Sequence, residues 1–150
     1  MRRATALLAC AAAFAAGCGA DEETTPAACL DGPGAFASAL ADAPGEVTLT
    51  DGVLISSCLV EGQPTGELSQ VGSALVRTAE SLGAKARAGN EDAALQLGFL
   101  VGAVRRGGEE TAGIHTDLVR RLESVAETGR APPGFGDAYR RGLEAGREHG

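Results

Sequence analysis

Apolar residues in the second half of the chain recur every three or four positions, the period of an α-helix that packs one face on a core. The first such stripe comprises Leu68, Val71, Gly72, Leu75, Val76, Ala79 and Leu82. The second comprises Ala93, Ala94, Leu97, Leu100, Val101 and Val104. The third comprises Ile114, Leu118, Val119, Leu122, Val125 and Ala126. After Pro132-Pro133, the fourth comprises Phe135, Ala138, Tyr139, Gly142, Leu143 and Gly146. Four amphipathic helices are predicted, and their short connections favour antiparallel neighbours.

The residues around these stripes predict helix ends. Thr65 and Asn90 are candidate N-caps, because their side-chain oxygens can accept a hydrogen bond from a first-turn N–H group. Gly107-Gly108 is a stop signal for the second helix, which is almost continuously apolar and is expected to be the most buried. A shorter stripe nearer the N-terminus predicts one additional short helix that ends near Pro44-Gly45: Phe36, Ala39 and Leu40.

The segment between this short helix and the first long one has a different pattern. Residues 47–49 and 53–55 are rich in β-branched and aliphatic side chains, and Asp51-Gly52 lies between them. An Asp-Gly pair between two such runs is typical of a tight hairpin turn. The pattern favours a short β-hairpin, and an irregular loop held by Cys58 is the alternative.

The first 18 residues have the organisation of an export signal. Arg2 and Arg3 precede an uncharged apolar run over residues 4–16, which is too short to span a bilayer as a helix. The run ends in Ala15-Ala16-Gly17-Cys18, which resembles the lipobox of bacterial lipoproteins. The resemblance covers residues 1–18 only, and it departs from the usual pattern at Ala15, where lipoproteins more often have Leu.

This resemblance implies that residues 1–17 form a signal peptide that is cleaved after Gly17. It also implies that Cys18 receives a diacylglyceryl group on its thiol and a fatty acyl chain, such as palmitate, on its new amino group. The lipid would hold the chain at the exported face of the cell membrane. Residues 18–28 lack large apolar side chains and would form a disordered tether. An ordinary signal peptide, cleaved without lipid attachment, is the alternative.

The cysteine count fits an exported chain. Of the four cysteines, Cys10 would leave with the signal peptide and Cys18 would carry the lipid, so that Cys29 and Cys58 remain. An even pair in an oxidising compartment predicts a disulfide. Closing a loop of this length stabilises a fold by roughly 3–4 kcal/mol in the chain-entropy treatment. A redox pair would favour Cys-x-x-Cys spacing, and a zinc site would need more than two ligands.

Length and composition fit one folded domain. The chain has 150 residues and 44% hydrophobic residues, which is normal for a globular protein. Its 13 basic and 20 acidic residues give a net charge of −7, and removal of Arg2 and Arg3 with the signal peptide changes this to −9. Such a chain is a poor candidate for nucleic-acid binding. We therefore predict a single all-α domain over residues 29–150, a bundle of about four helices with a disulfide-pinned N-terminal segment.

Two pairs of glycines have the spacing that lets helices approach closely. Gly98-x-x-x-Gly102 and Gly142-x-x-x-Gly146 each place both glycines on one helix face. A glycine inside a helix costs about 1 kcal/mol relative to alanine, so that close packing is the expected compensation. Packing within the chain is the preferred interpretation, and a face for a partner subunit is the alternative.

Three predicted helices each carry two adjacent arginines. These candidates for binding an anion are Arg105, Arg106, Arg120, Arg121, Arg140 and Arg141. Convergence at one end of the bundle would let them bind a carboxylate, a phosphate or an acidic polymer. Antiparallel neighbours disfavour this, and the preferred interpretation is that the arginines form solvated pairs with nearby glutamates. The expected partners are Glu109, Glu110, Glu123, Glu127 and Glu144.

His115 is the weak candidate for metal binding or acid–base chemistry. With Glu110 and Asp117 it could hold a divalent metal. His115 and Asp117 are only two positions apart, which places them on different faces of a helix, and the sequence contains no established metal or nucleophile motif. We predict no metal, no cofactor and a structural histidine.

These observations lead to two functional hypotheses. The preferred one is a non-enzymatic, lipid-anchored envelope protein whose domain contacts another envelope protein or a small ligand. The alternative is an envelope metal-binding protein or hydrolase that uses His115 and nearby carboxylates. Both keep the protein at the membrane through Cys18.

Overall fold

The computed structural model describes residues 24–113, 115–127 and 131–150. Its five α-helices are α1 (Pro33–Ala39), α2 (Thr65–Arg87), α3 (Glu91–Glu110), α4 (Thr116–Glu127) and α5 (Phe135–His149). Short 3₁₀ helices precede or connect them at Ala27–Leu30, Leu40–Asp42, Thr50–Gly52 and Ser56–Cys58. The described residues contain no strand, and the all-α prediction is confirmed.

The four predicted stripes coincide with α2 to α5, apart from Ile114 of the third stripe, which lies outside the described residues. Buried apolar side chains from all five helices and from the N-terminal segment form one hydrophobic cluster. Asn90 caps α3 as expected, because its Oδ1 accepts a hydrogen bond from the Ala93 N–H group at 2.9 Å. Thr65 does not cap α2, since it is already the first helical residue and Pro64 occupies the cap position. Among the described helices, none has the length and apolar composition needed to cross a bilayer.

Helix α3 is the central element, and it is longer than predicted. It continues through Gly107 and Gly108 to Glu110. Both glycines are buried. A Cβ added at Gly107 would overlap the Ser56 carbonyl, and one at Gly108 would lie 3.1 Å from a methyl group of Val119. The glycine pair is therefore a packing feature and does not end the helix.

Helices α3 and α5 pack in parallel through their two glycine pairs. A Cβ at Gly98 would overlap the Tyr139 carbonyl, and a Cβ at Gly102 would overlap the Leu143 carbonyl. In the reverse direction, Gly142 lies against the Leu95 carbonyl and Gly146 against the Phe99 carbonyl. The backbones of the two helices are thus in contact, and the expectation of packing within the chain is confirmed.

Helix α4 contacts both α3 and α2. The neighbours Gly108–Val119 and Arg105–Glu123 show that α3 and α4 are antiparallel. The neighbours Gly72–Leu118 and Gly83–Val125 show that α2 and α4 are parallel. It follows that α2 and α3 are antiparallel, as their short connection predicts.

The predicted β-hairpin does not form. Its turn is present, since Asp51 and Gly52 both have positive φ angles and the Leu49 N–H group donates to the Val53 carbonyl at 2.8 Å. No ladder extends from the turn, because Val47, Leu49 and Ile55 are buried in the helical core and the chain then turns into a 3₁₀ helix. The irregular loop held by Cys58 is the arrangement observed.

The predicted disulfide is present. Cys29 and Cys58 are both fully buried, with their Cα atoms 5.5 Å apart. The bond joins the first 3₁₀ helix to the one that packs on α3. The predicted tether over 18–28 extends too far, because Thr25 and Ala28 are buried and the Gln63 amide donates to Thr25 Oγ1 at 2.7 Å. Within the described residues, the packed chain therefore starts at Thr25 and not at Cys29.

Candidate functional site

The structure does not bring the six paired arginines together. Tyr139 packs level with Gly98, so Arg140 lies about 10 Å along the bundle from Arg105 and Arg106. Arg140 pairs with Asp137 on its own helix, and both side chains are largely exposed. The arginines at the two levels do not form a joint anion site.

Most of these arginines pair with carboxylates. The Arg105 Nε donates to Glu123 at 2.6 Å and links α3 to α4. The Arg106 Nε donates to Glu110 at 3.2 Å, and its Nη1 donates to the Glu148 carbonyl of α5 at 3.1 Å. Arg120 pairs with Asp117 at 2.8 Å. The solvated-pair interpretation therefore describes most of the set, and Glu110 and Glu123 are two of the expected partners.

A cleft between α4 and α5 contains the most buried of these pairs. Helix α3 forms the floor of the cleft, and the cleft has a volume of about 310 Å³. The Arg105–Glu123 pair lies on one side, and on the other Arg147 of α5 lies 3.6 Å from Glu109 of α3. Arg147 is not among the six arginines predicted from the sequence, because it has no adjacent arginine and belongs to no motif. Each arginine in this cleft already faces a carboxylate, so the cleft is balanced in charge.

Tyr139 lies beside the same cleft. Its ring stacks on that of Phe135 with the ring centroids 5.8 Å apart. Burial raises the pKa of the Tyr139 phenol above its ordinary value of 10.0, the Arg105 guanidinium lowers it in part, and the carboxylates of Glu123 and Glu127 raise it again. Tyr139 therefore stays protonated at neutral pH and serves packing, as its position in the fourth stripe suggests.

His115 is almost completely buried, with 3% of its surface exposed. Its Nε2 lies 3.3 Å from the carbonyl oxygen of Val60. A carbonyl only accepts hydrogen bonds, so Nε2 carries the proton in this contact. The histidine thus fastens the start of α4 to the N-terminal segment across 55 positions of sequence.

The weak metal candidate is not assembled. Glu110 turns toward Arg106 and Asp117 toward Arg120, while His115 faces Val60. Across residues 24–113, 115–127 and 131–150, no three His, Cys, Asp or Glu side chains are arranged to hold a metal ion.

A second cavity, between α2 and α4, includes His115 in its wall. It has a volume of about 320 Å³, at the lower end of the range for small-molecule sites. Its other lining residues are Leu68, Ser69, Gly72, Ser73, Asp117, Leu118 and Arg121. Ser69 and Ser73 belong to no sequence motif and are ordinary polar residues between the apolar positions of α2. Their four-residue spacing is the one available signal that they share a helix face.

Cys18 and the rest of the lipobox lie outside the described residues. No protein family matches this chain, and no curated protein or solved structure shows significant similarity to it.

Proposed function

We propose that this chain is an exported lipoprotein, anchored to the cell membrane at Cys18, whose helical domain is a non-enzymatic binding module. The observation that carries the proposal is the order of features at the N-terminus. Two arginines, an uncharged apolar run and Ala15-Ala16-Gly17-Cys18 follow one another without interruption. Each feature alone is common, but the order in which the three occur is that of a lipoprotein signal.

The disulfide supports the exported location. Disulfides persist in oxidising compartments and are rare in the reducing cytosol. Cys29 and Cys58 form a buried bond at the junction between the N-terminal segment and the helices. A structural bond in this place is the kind that an exported domain uses for stability.

The geometry of the candidate groups favours binding over catalysis. Nucleophilic catalysis needs a nucleophile and a base within hydrogen-bonding distance. Among the described residues, the hydrogen bond of the His115 side chain is to the Val60 carbonyl, and the buried Ser56 hydroxyl donates to the Gly150 carbonyl at 2.6 Å, so these two groups do not form such a pair. The two cavities next to α4 offer space for a small molecule.

Metabolic labelling with an alkyne fatty acid tests the anchor. We expect the wild-type chain to incorporate the label, and Cys18→Ser to lose it, because the thiol of residue 18 is the proposed acceptor. Cys10→Ser is the matched control, since it removes the other N-terminal cysteine, and it should remain labelled. Equal labelling of Cys18→Ser and the wild type would contradict the proposal.

A further inference from the structure

The cavity between α2 and α4 is rich in hydrogen-bond donors. Ser69 and Ser73 lie one helical turn apart on α2, about 6 Å along the axis. Arg121 extends from α4 on the facing side. All three residues are exposed, and no ion pair or hydrogen bond links their side chains to another described residue. Their donors are therefore available to a bound molecule.

Two charged residues line the cavity, Arg121 and Asp117. Asp117 is the one acidic residue among the described lining residues, and it already pairs with Arg120 at 2.8 Å. The Arg121 guanidinium has no such partner, and its planar group suits two oxygens of a carboxylate or phosphate. A negatively charged oxygen group is thus the complement of this side of the cavity.

The cavity also has apolar lining residues. Leu68 of α2 and Leu118 of α4 contribute to it, and Gly72 lies between the two serines on α2. A Cβ at Gly72 would lie 3.8 Å from Leu118 Cδ1, an ordinary contact distance. Packing does not require a glycine there, and its missing side chain leaves space beside the leucines.

We propose that this cavity binds a small organic oxyanion, a carboxylate or phosphate monoester that carries an apolar group. Arg121 and the two serine hydroxyls bind the oxygens, and Leu68 and Leu118 contact the apolar part. The buried His115 ring forms part of the wall. The proposal deepens the proposed function because it names a ligand class for the binding module, and it does not depend on lipid attachment.

Isothermal titration calorimetry on the full chain in mild detergent tests this site. The probes are benzoate and phenyl phosphate, with benzamide as the uncharged control and inorganic phosphate as the control without an apolar part. We expect saturable binding of at least one of the first two, and much weaker binding of both controls. Arg121→Gln should weaken binding by about tenfold, because it removes a charged hydrogen-bond donor.

Arg141→Gln is the matched variant, since it removes the same charge from an exposed position on α5 that does not line the cavity. It should change the affinity by less than about twofold. Equal losses for the two variants would show binding to general positive charge and would overturn the site. No saturable binding of benzoate or phenyl phosphate at millimolar concentration would also overturn it.

Ser73→Ala provides a second test that leaves every charge in place. It should weaken binding of the same probe while circular dichroism shows an unchanged helix content, and an unchanged affinity would count against the role of the hydroxyls. The anchor and the site can fail separately, because labelling at Cys18 and binding at Arg121 are measured independently.

Discussion

Several buried polar side chains are hydrogen-bonded to carbonyls that are distant in the sequence. Ser56 donates to Gly150, 94 positions away, and His115 lies against Val60, 55 positions away. Thr78 donates both to Ala74 in its own helix and to Pro33 of α1. Such contacts avoid the cost of an unpaired buried polar group. They also tie the N-terminal segment to the helices at single residues.

The ionisation of Tyr139 can be measured on its own because it is the single tyrosine of the chain. Tyrosinate absorbance therefore reports this residue alone. We expect a titration midpoint above 10.0 in the folded protein, because burial disfavours the charged phenolate. In strong denaturant the midpoint should return to about 10. A folded-state midpoint at or below the denatured value would contradict the burial of this ring.

The sign of the effect on stability follows from this shift. Below pH 10 the phenol is protonated in both the folded and the unfolded chain, so it adds no pH dependence. Above pH 10 the unfolded chain loses the proton first, and the free energy of unfolding falls as the pH rises. Tyr139→Phe should remove this part of the alkaline loss of stability in denaturant titrations.

At the scale of elements, the contact between α3 and α5 depends on the absence of side chains. Glycines from both helices face backbone carbonyls of the partner helix along four successive positions of contact. The sequence predicts close packing from their spacing, but it does not identify which helices pair. The parallel arrangement of α3 and α5 follows from α4, which returns the chain between them.

Gly142→Ala tests this contact. Its Cβ would overlap the Leu95 carbonyl, so the two helices must separate, and we expect a loss of about 1–3 kcal/mol in the free energy of unfolding. Gly136→Ala on the same helix is the control, because nothing lies within 4 Å of the added Cβ. It should leave the stability unchanged or raise it slightly. Denaturation midpoints that are equal for the two variants would refute the close contact.

For the whole molecule, the local parts of the fold were predictable and the long-range parts were not. The stripes of α2 to α5 and the Asn90 cap depend on neighbouring residues, and the structure confirms them. The Asp51-Gly52 turn also forms, but burial of Val47 and Ile55 against the helices prevents a β-ladder. The alternation of apolar and polar residues beside the turn does not determine whether these residues pair with each other or pack on the helices.

In the candidate sites, too, local features were predictable from the sequence and long-range contacts were not. Adjacency in the sequence indicates that the six arginines are candidates for binding an anion. Their relative positions in the bundle, however, depend on the parallel packing of α3 and α5. The cavity between α2 and α4 combines one of them, Arg121, with two serines that carry no motif and with His115. The proposed compartment and membrane anchor do not depend on the fold in this way, because an export signal consists of a short linear segment. For this reason the N-terminal prediction can be specific without any information from the fold.

Intact-mass spectrometry of the chain extracted from membranes tests the central claim most directly. We predict the mass of residues 18–150 with a diacylglyceryl group and a fatty acyl chain added, and with two hydrogens missing because Cys29 and Cys58 are bonded. Reduction should restore the two hydrogens and expose two alkylatable thiols. A chain that retains residues 1–17, or a cleaved chain without lipid mass, would contradict the account of an anchored lipoprotein.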